Sequence, residues 1–277
     1  MQPRSWLFVP ADSERKIAKA LESDADALIF DLEDSVAPAN KAKAREMLKT
    51  LPKGSSGPQL WVRVNPIGSE FHKDDLRIIR VAEIHGIVLP KSESGADVIQ
   101  LAHRTGNIPV HAIVTETAAS LFGLLSYRDP KSPLAAMSWG AEDLSAALGA
   151  SSKYDSDGSL SFTYRLARSL CLAGAVAAGV QPVDGVFADF KDEVGLRAET
   201  EAARREGFTG KLAIHPAQVG IINSAFTPSE EEMQRAEEIV AAFEAHPDAG
   251  VLSVGGKMVD RPHLVQARRV LERATRE

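Results

Sequence analysis

Residues 27–34 read Ala27-Leu28-Ile29-Phe30-Asp31-Leu32-Glu33-Asp34. The apolar run over Ala27–Leu32 leads into a cluster of acids and shows no polar–apolar alternation. Such a run suits a strand covered on both faces, as in a parallel sheet, rather than a strand with one wet side. The same pattern recurs at Trp6–Pro10, Leu60–Val64, Gly86–Pro90, Val110–Thr115, Ala135–Trp139, Gly185–Phe190 and Lys211–Ile214. Helical patterns fall between these runs. Asp12–Ser23 has Asp12 as its expected N-cap and Ile17, Ala20 and Leu21 on one face; Asn40–Leu51, Phe71–Ile84 and Gly95–Thr105 follow the same logic. Eight strands alternating with helices is the count of an α/β (β/α)8 TIM barrel. A doubly wound open sheet is the rival, but no GxGxxG follows the first strand, which removes its common dinucleotide-binding form.

The rest of the chain agrees with a globular α/β enzyme. It has 277 residues, 44% apolar and 25% charged, with a net charge of −6. Barrels often reach this length as one domain. A mildly acidic chain without a basic run is a poor partner for nucleic acid. The first apolar run is broken by Pro10, too early for a secretory core, and Leu166–Val183 reads as a buried helix rather than a membrane span. A cytoplasmic protein is therefore expected, with neither nucleic acid nor membrane as partner. The single cysteine, Cys171, sits in an apolar stretch and reads as core filler rather than nucleophile. Ser151–Ser161 reads as a surface loop. Residues 1–227 are expected to form the barrel. Residues 228–277 are expected to form a C-terminal helical extension, with an amphipathic helix Pro228–Ala245, a Gly255-Gly256 pair that reads as a hinge, and an arginine-rich last helix. Lying beyond the eighth strand, this tail is a candidate lid or oligomer arm.

Charged and polar residues stand at nearly every C-terminal strand end: Asp31, Glu33 and Asp34, then Arg63 and Asn65, Lys91, Glu116, Glu142 and Asp143, Asp189, and His215. In a barrel those ends converge on one face, where active sites lie. With no Cys/His cluster, hard oxygen ligands point to Mg2+ or Mn2+ rather than zinc. Glu116 and Asp143 follow different strands and are candidates for joint chelation; equally, Asp143 caps the helix after it and Glu116 begins a helix Thr117–Tyr127. Arg63, set among apolar neighbours, needs either a ligand anion or a carboxylate from the Asp31–Asp34 cluster. His215 is either a general base or a hydrogen-bonding residue beside Pro216. Arg15 and Lys19 share a helix face, which fits phosphate binding at the barrel rim or a solvated surface. Trp61 and Trp139 read as core or barrel-mouth aromatics.

These residues also carry a resemblance. Arg4-Ser5-Trp6-Leu7-Phe8-Val9-Pro10, Asp31-Leu32-Glu33-Asp34-Ser35-Val36, Val62-Arg63-Val64-Asn65, Leu89-Pro90-Lys91, Glu116-Thr117-Ala118, Trp139-Gly140-Ala141-Glu142-Asp143-Leu144, Gly207–Pro216 and Gly256-Lys257-Met258-Val259-Asp260-Arg261-Pro262 stand in order along nearly the whole chain. As a set they resemble the citrate lyase beta chain-like family, which includes malyl-CoA and citramalyl-CoA lyases. The resemblance implies a Mg2+-dependent barrel, a homotrimer or hexamer, that cleaves or forms a 3-hydroxy-3-carboxyacyl-CoA, giving acetyl-CoA and a 2-oxoacid, with thioesterase activity as a further outcome. It implies Glu116 and Asp143 as metal ligands, with Glu116 also at the substrate. Arg63 would hold the substrate's carboxylate or carbonyl. Phe8, Arg15 and Lys19 would contact coenzyme A, Ile214 and His215 would line the thioester, and Asp260 would be the acid/base offered to a neighbouring subunit. Ala11 departs from the family pattern, where glycine often follows Val-Pro. Three rival activities fit the same residues: a citrate lyase beta chain acting on a carrier-protein thioester, a metal-dependent aldolase of free 2-oxoacids, and a non-catalytic barrel that binds a CoA thioester.

Overall fold

The computed structural model describes residues 2–51 and 57–274. It divides into two compact units, Gln2–Asn223 and Ser224–Glu277. In the first, β1 (Ser5–Pro10), β2 (Ala27–Asp31), β3 (Gln59–Arg63), β4 (Gly86–Leu89), β5 (Val110–Ile113), β6 (Leu134–Ser138), β7 (Gln181–Asp184) and β8 (Gly210–Ala213) form a closed barrel. Every neighbouring pair is parallel, and β1 pairs with β8 to close the ring. Around it run α1 (Glu14–Leu21), α2 (Lys41–Leu48), α3 (His72–Ile79), α4 (Gly95–Thr105), the single turn α5 (Ser120–Gly123), α6 (Ala141–Leu148), α7 (Phe162–Ala178) and α8 (Glu193–Glu206), and α9 (Val219–Phe226) spans the boundary between the units. This is the (β/α)8 barrel expected from the sequence.

The interior is filled by side chains from all eight strands, Trp6, Ile29, Trp61, Val88, Ile113, Ala136, Val183 and Leu212 among them. Each large apolar side chain buried this way contributes roughly 1.5–3 kcal/mol. Trp61 has room because Gly86 has no side chain: a Cβ there would fall 2.1 Å from the indole ring. Trp6 and His111 meet edge to face at 4.7 Å, and His111 lies 6.5 Å from Trp61.

Four local expectations are corrected. The seventh strand is not Gly185–Phe190 but Gln181–Asp184, just upstream. Gln181 and Asp184 hide the strand from a hydrophobicity reading, yet both are buried and bonded. Gln181 donates to the Pro3 carbonyl at 2.7 Å, and Asp184 accepts from Arg168, Lys211 and the Trp139 indole, each at 2.8 Å. Asp189 thus lies in the loop beyond β7, not at a strand end. Secondly, α1 is capped by Ser13, whose hydroxyl accepts from the Lys16 amide, not by Asp12. Thirdly, the helix after Glu116 is only α5 followed by a 3-10 stretch, Leu124–Arg128. Fourthly, Leu166–Val183 is not one buried helix. α7 ends at Gly179, in the left-handed region at φ 72°, and buries only the face carrying Tyr164, Ala167, Cys171 and Ala175. Cys171 is fully buried there, and burial raises its thiol well above the usual range, so it is filler.

The second unit has its own core. α10 (Glu230–Ala245) begins with a capping box in which Ser229 and Glu232 bond each other's backbone amides. An antiparallel hairpin follows, β9 (Val251–Val254) and β10 (Lys257–Asp260), and then α11 (Arg261–Ala274). Gly255 and Gly256 form the hairpin's two-residue turn, with φ 58° and 74°, which side-chain-bearing residues adopt at a cost. Phe243, Ile239, Val259 and Leu264 pack at its centre. Among the described residues, no helix is long and apolar enough to cross a membrane.

Candidate active site

The barrel register sets the site's foundation. Asp31 and Arg63 are paired residues at the C-terminal ends of β2 and β3. Arg63 donates Nε to Asp31 Oδ1 and Nη2 to Oδ2, both at 2.7 Å, and its Nη1 lies 3.0 Å from Glu33 Oε2. Burial pushes Asp31 upward, but Arg63, with the Ser35 side chain and the Glu33 amide, outweighs it and holds the carboxyl below its ordinary value. Asp31 also accepts from the Glu33 amide at 2.8 Å, folding the acidic loop back toward the barrel. Lys41 supports that loop from behind, donating to the Leu32 and Glu33 carbonyls at 2.7 and 3.0 Å. The carboxylate reading of Arg63 is the one seen: Asp31 and Glu33 pair with its guanidinium and fix its plane.

Lys91, just beyond β4, joins this foundation to the candidate metal ligands. Its ammonium lies 2.5 Å from Glu33 Oε1, 3.2 Å from Asp143 Oδ1 and 3.6 Å from Asp34 Oδ2. Its backbone amide donates to Glu116 Oε2 at 2.5 Å. Glu116 and Asp143, which leave the ends of β5 and β6, are thus brought to a single residue. Asp143 sits in the first turn of α6, but Gly140 rather than Asp143 is the residue at the helix start. Gly140 is needed as glycine: a Cβ there would lie 2.8 Å from Glu116 Cγ and 3.0 Å from its Oε1.

Burial raises the Glu116 carboxyl to about 8, and neighbouring Asp143 and Glu33 add to the rise. Burial raises Glu33 as well, against Arg63 and Lys91. A buried acid pushed up by burial and its fellow acids is a place where a divalent cation relieves the cost. Among the described residues, no group of three or more His, Cys, Asp or Glu side chains forms a metal cage. Two carboxylates suffice for Mg2+, which keeps waters and takes substrate oxygens. The donor set therefore fits. Lys91 is held protonated by the surrounding acids, which outweigh its own burial, so it is unsuited to forming a Schiff base.

Beside this cluster lies a cleft of about 420 Å3 lined by Phe8, Arg15, Lys16, Lys19, Ile214 and His215, among others. The structure thus brings together Phe8, Arg15, Lys19, Ile214 and His215, whose positions span most of the barrel sequence. Pairing of Leu7 with Ala213 across the closure explains how. Phe8 belongs to both regions, since the Arg63 guanidinium stacks 4.7 Å from its ring centroid. His215 is hydrogen-bonded beside Pro216, the second of the two expectations for it. Its Nδ1 accepts from the Ala217 amide at 3.2 Å, and its ring stacks on Phe190 at 4.6 Å. Ala11 is fully buried, its amide bonded to the Asp31 carbonyl at 3.1 Å. In the second unit, Asp260 directly precedes α11. Its Oδ1 lies 2.5 Å from His263 Nδ1, and that hydrogen bond holds its carboxyl below the ordinary value.

Sequence reading assigned no role to Lys91 or Gly140, and gave Glu33 only as one of three possible partners of Arg63. Lys91 stood out only as a charged strand end, and nothing local shows a contact with Glu33, 58 positions away.

A closed parallel barrel with carboxylates and a fixed arginine at its C-terminal mouth, beside a basic cleft, has the layout of a barrel enzyme's active face. The chain belongs to the HpcH/HpaI aldolase/citrate lyase family, whose model matches residues 4–216. It is similar to a (3S)-malyl-CoA thioesterase of Cereibacter sphaeroides, with 39% identity over 98% of this chain and 94% of the relative. It is also similar to the mitochondrial citramalyl-CoA lyase of Mus musculus, with 34% identity over 98% of this chain and 86% of that one. Among solved structures, the CitE protein of Mycobacterium tuberculosis in complex with magnesium, acetoacetate and coenzyme A superposes with a TM-score of 0.85, at 37% identity over 98% of both chains.

Proposed function

We propose that this enzyme is a Mg2+-dependent carbon–carbon lyase acting on a 3-hydroxy-3-carboxyacyl-CoA such as malyl-CoA or citramalyl-CoA. The observation that carries this reading is Phe8, shared between the basic cleft and Arg63, so that a thioester in the cleft leads to the carboxylate cluster. Glu116 and Asp143 would hold the metal. When bound, it supplies Lewis-acid polarisation of the substrate's hydroxyl and carboxylate oxygens. Arg63, locked by Asp31 and Glu33, binds the substrate carboxylate in a fixed plane and stabilises charge as it develops. Arg15 and Lys19 hold the phosphates of coenzyme A, while Phe8, Ile214 and the stacked His215 line the thioester arm. The substrate hydroxyl releases its proton to solvent and its O–H electron pair becomes the carbonyl of the 2-oxoacid, while the Cα–Cβ bond breaks and its electron pair passes to the enolate of acetyl-CoA. Asp260 protonates the enolate carbon, or removes that proton in condensation. We place the enzyme in the cytoplasm as a homotrimer or larger multiple, in which Asp260 serves a neighbouring subunit's site.

A second outcome, thioester hydrolysis, is favoured by the likeness to a malyl-CoA thioesterase. Mass spectrometry after incubation with Mg2+ and malyl-CoA or citramalyl-CoA, with and without EDTA, tests both. Metal-dependent acetyl-CoA supports the lyase. Free coenzyme A with the hydroxydiacid supports the thioesterase, and no turnover of either substrate overturns the proposal.

A further inference from the structure

The carboxylate cluster contains a permanent cation that sequence reading gave no task. Arg63 pairs with Asp31 and Glu33, the Lys91 ammonium reaches Glu33, Asp34 and Asp143, the Lys91 amide bonds Glu116, and Lys41 lies behind the acidic loop on the Leu32 and Glu33 carbonyls. Arg63 is committed: Nε and Nη2 to Asp31, Nη1 to Glu33. Of Arg63 and Lys91, only Lys91 reaches Asp143, at 3.2 Å. Its backbone is held at φ 51°, one of two non-glycine residues in the left-handed region among those described. That conformation is costly for an L-residue and persists only where its surroundings enforce it. Here it directs the amide to Glu116 and the ammonium to Glu33 and Asp143, so one strained residue serves both candidate metal ligands.

We propose that Lys91 is a positioning residue, the resident counter-ion of the metal-binding carboxylates, and that it makes divalent-metal binding depend on an anionic substrate. This rests on the assignment of Glu116 and Asp143 as ligands. With no substrate, the ammonium neutralises Glu33 and Asp143, and a dication drawn to Asp143 is repelled by it. A substrate carboxylate gives the dication and the ammonium a shared counter-charge, so the metal and the anion strengthen each other's binding. The enzyme then carries its metal tightly only when substrate is present.

The test is Mn2+ binding, followed by electron paramagnetic resonance, to the full chain and to Lys91→Met, with and without oxalate as a dicarboxylate probe. Without oxalate, Lys91→Met is expected to bind Mn2+ roughly tenfold more tightly than the parent, the effect of removing one nearby positive charge from a partly screened site. Oxalate should strengthen Mn2+ binding less in the variant than in the parent. A gain of affinity separates this role from a structural one, because damage to the site weakens binding. Unchanged or weaker binding overturns the proposal, as does an oxalate effect as large as the parent's. Lys91→Gln is the second variant should the methionine protein not fold. Asp143→Asn separates the two layers. If it binds Mn2+ as the parent does, the ligand assignment falls and the proposal with it. If it loses Mn2+ while Lys91→Met is unchanged, the proposal alone falls.

Discussion

Asp31 and Arg63 face each other across adjacent strands and are joined by two hydrogen bonds of 2.7 Å. Strand register and side-chain pairing thus coincide, and the guanidinium's plane is set by the sheet itself. A lysine at 63 keeps the charge but not the two parallel bonds. Arg63→Lys is expected to lose about 100-fold or more in kcat, the usual size for removing one preorganised charge-stabilising donor. Steady-state kinetics with the acyl-CoA substrate checks this. A change confined to KM would show that Arg63 contributes only binding that is equal in ground and transition states.

Gly140 is the second geometric test. Its φ of −126° suits any residue, so alanine is acceptable to the backbone, but the added Cβ lies 2.8 Å from Glu116 Cγ. Glu116 must move by several tenths of an ångström. Misplacing a reacting group by about 1 Å costs roughly 100-fold in rate. Gly140→Ala is expected to retain its thermal transition within a few degrees, while its requirement for Mg2+ rises at least tenfold. An unchanged Mg2+ titration would remove Glu116 from the metal site.

His111 makes stability depend on pH. It is fully buried between Trp6 and Trp61, neither ring nitrogen has a hydrogen-bond partner among the described residues, and burial lowers it to about 3. The unfolded histidine titrates near 6.5 and takes up a proton the folded one refuses. Its contribution is therefore fully present above pH 6.5 and is lost as pH falls toward 3, by at most about 1.4 kcal/mol per pH unit. Glu116, raised to about 8, acts with the opposite sign, because its folded form holds a proton that the unfolded form releases. Comparison with His111→Phe isolates the histidine. Urea-unfolding midpoints should fall less steeply between pH 6.5 and 4 in the variant, and parallel curves would show that His111 does not titrate this way.

Legibility in the sequence followed the range of the interactions. Most of the barrel strands were readable because a strand buried on both faces is written locally as a continuous apolar run. β7 was not, because Asp184 is kept buried by Arg168 and Lys211, which lie 16 and 27 positions away, and so reads as a loop residue. The apolar Gly185–Ala188 that follows drew the reading instead. Within the site, the residue types at strand ends were visible, since each follows its own strand. Their pairing was legible only in part: Arg63 with the Asp31–Asp34 acids was anticipated, but Lys91 meets Glu33, Asp143 and Glu116 only through the barrel's tertiary structure. Gly140 was invisible for the same reason, as its meaning is the space taken by Glu116.

Asp260 carries the last test. It ends β10 and directly precedes α11, with its carboxylate 2.5 Å from His263 Nδ1. Asparagine is as good as aspartate at a helix start and keeps an oxygen and a donor in nearly the same place. It cannot, however, give or take a proton at neutral pH. Asp260→Asn is therefore expected to fold normally and to bind coenzyme A with unchanged Kd. Its exchange of the acetyl-CoA methyl protons with D2O, in the presence of Mg2+ and oxalate, should fall by about 100-fold or more, the scale of one general acid–base group. NMR of the methyl signal reads the exchange, and calorimetry reads the binding. If binding falls together with exchange, Asp260 shapes the tail rather than moving the proton. If neither changes, the proton is handled by another residue and the tail has no part in the chemistry.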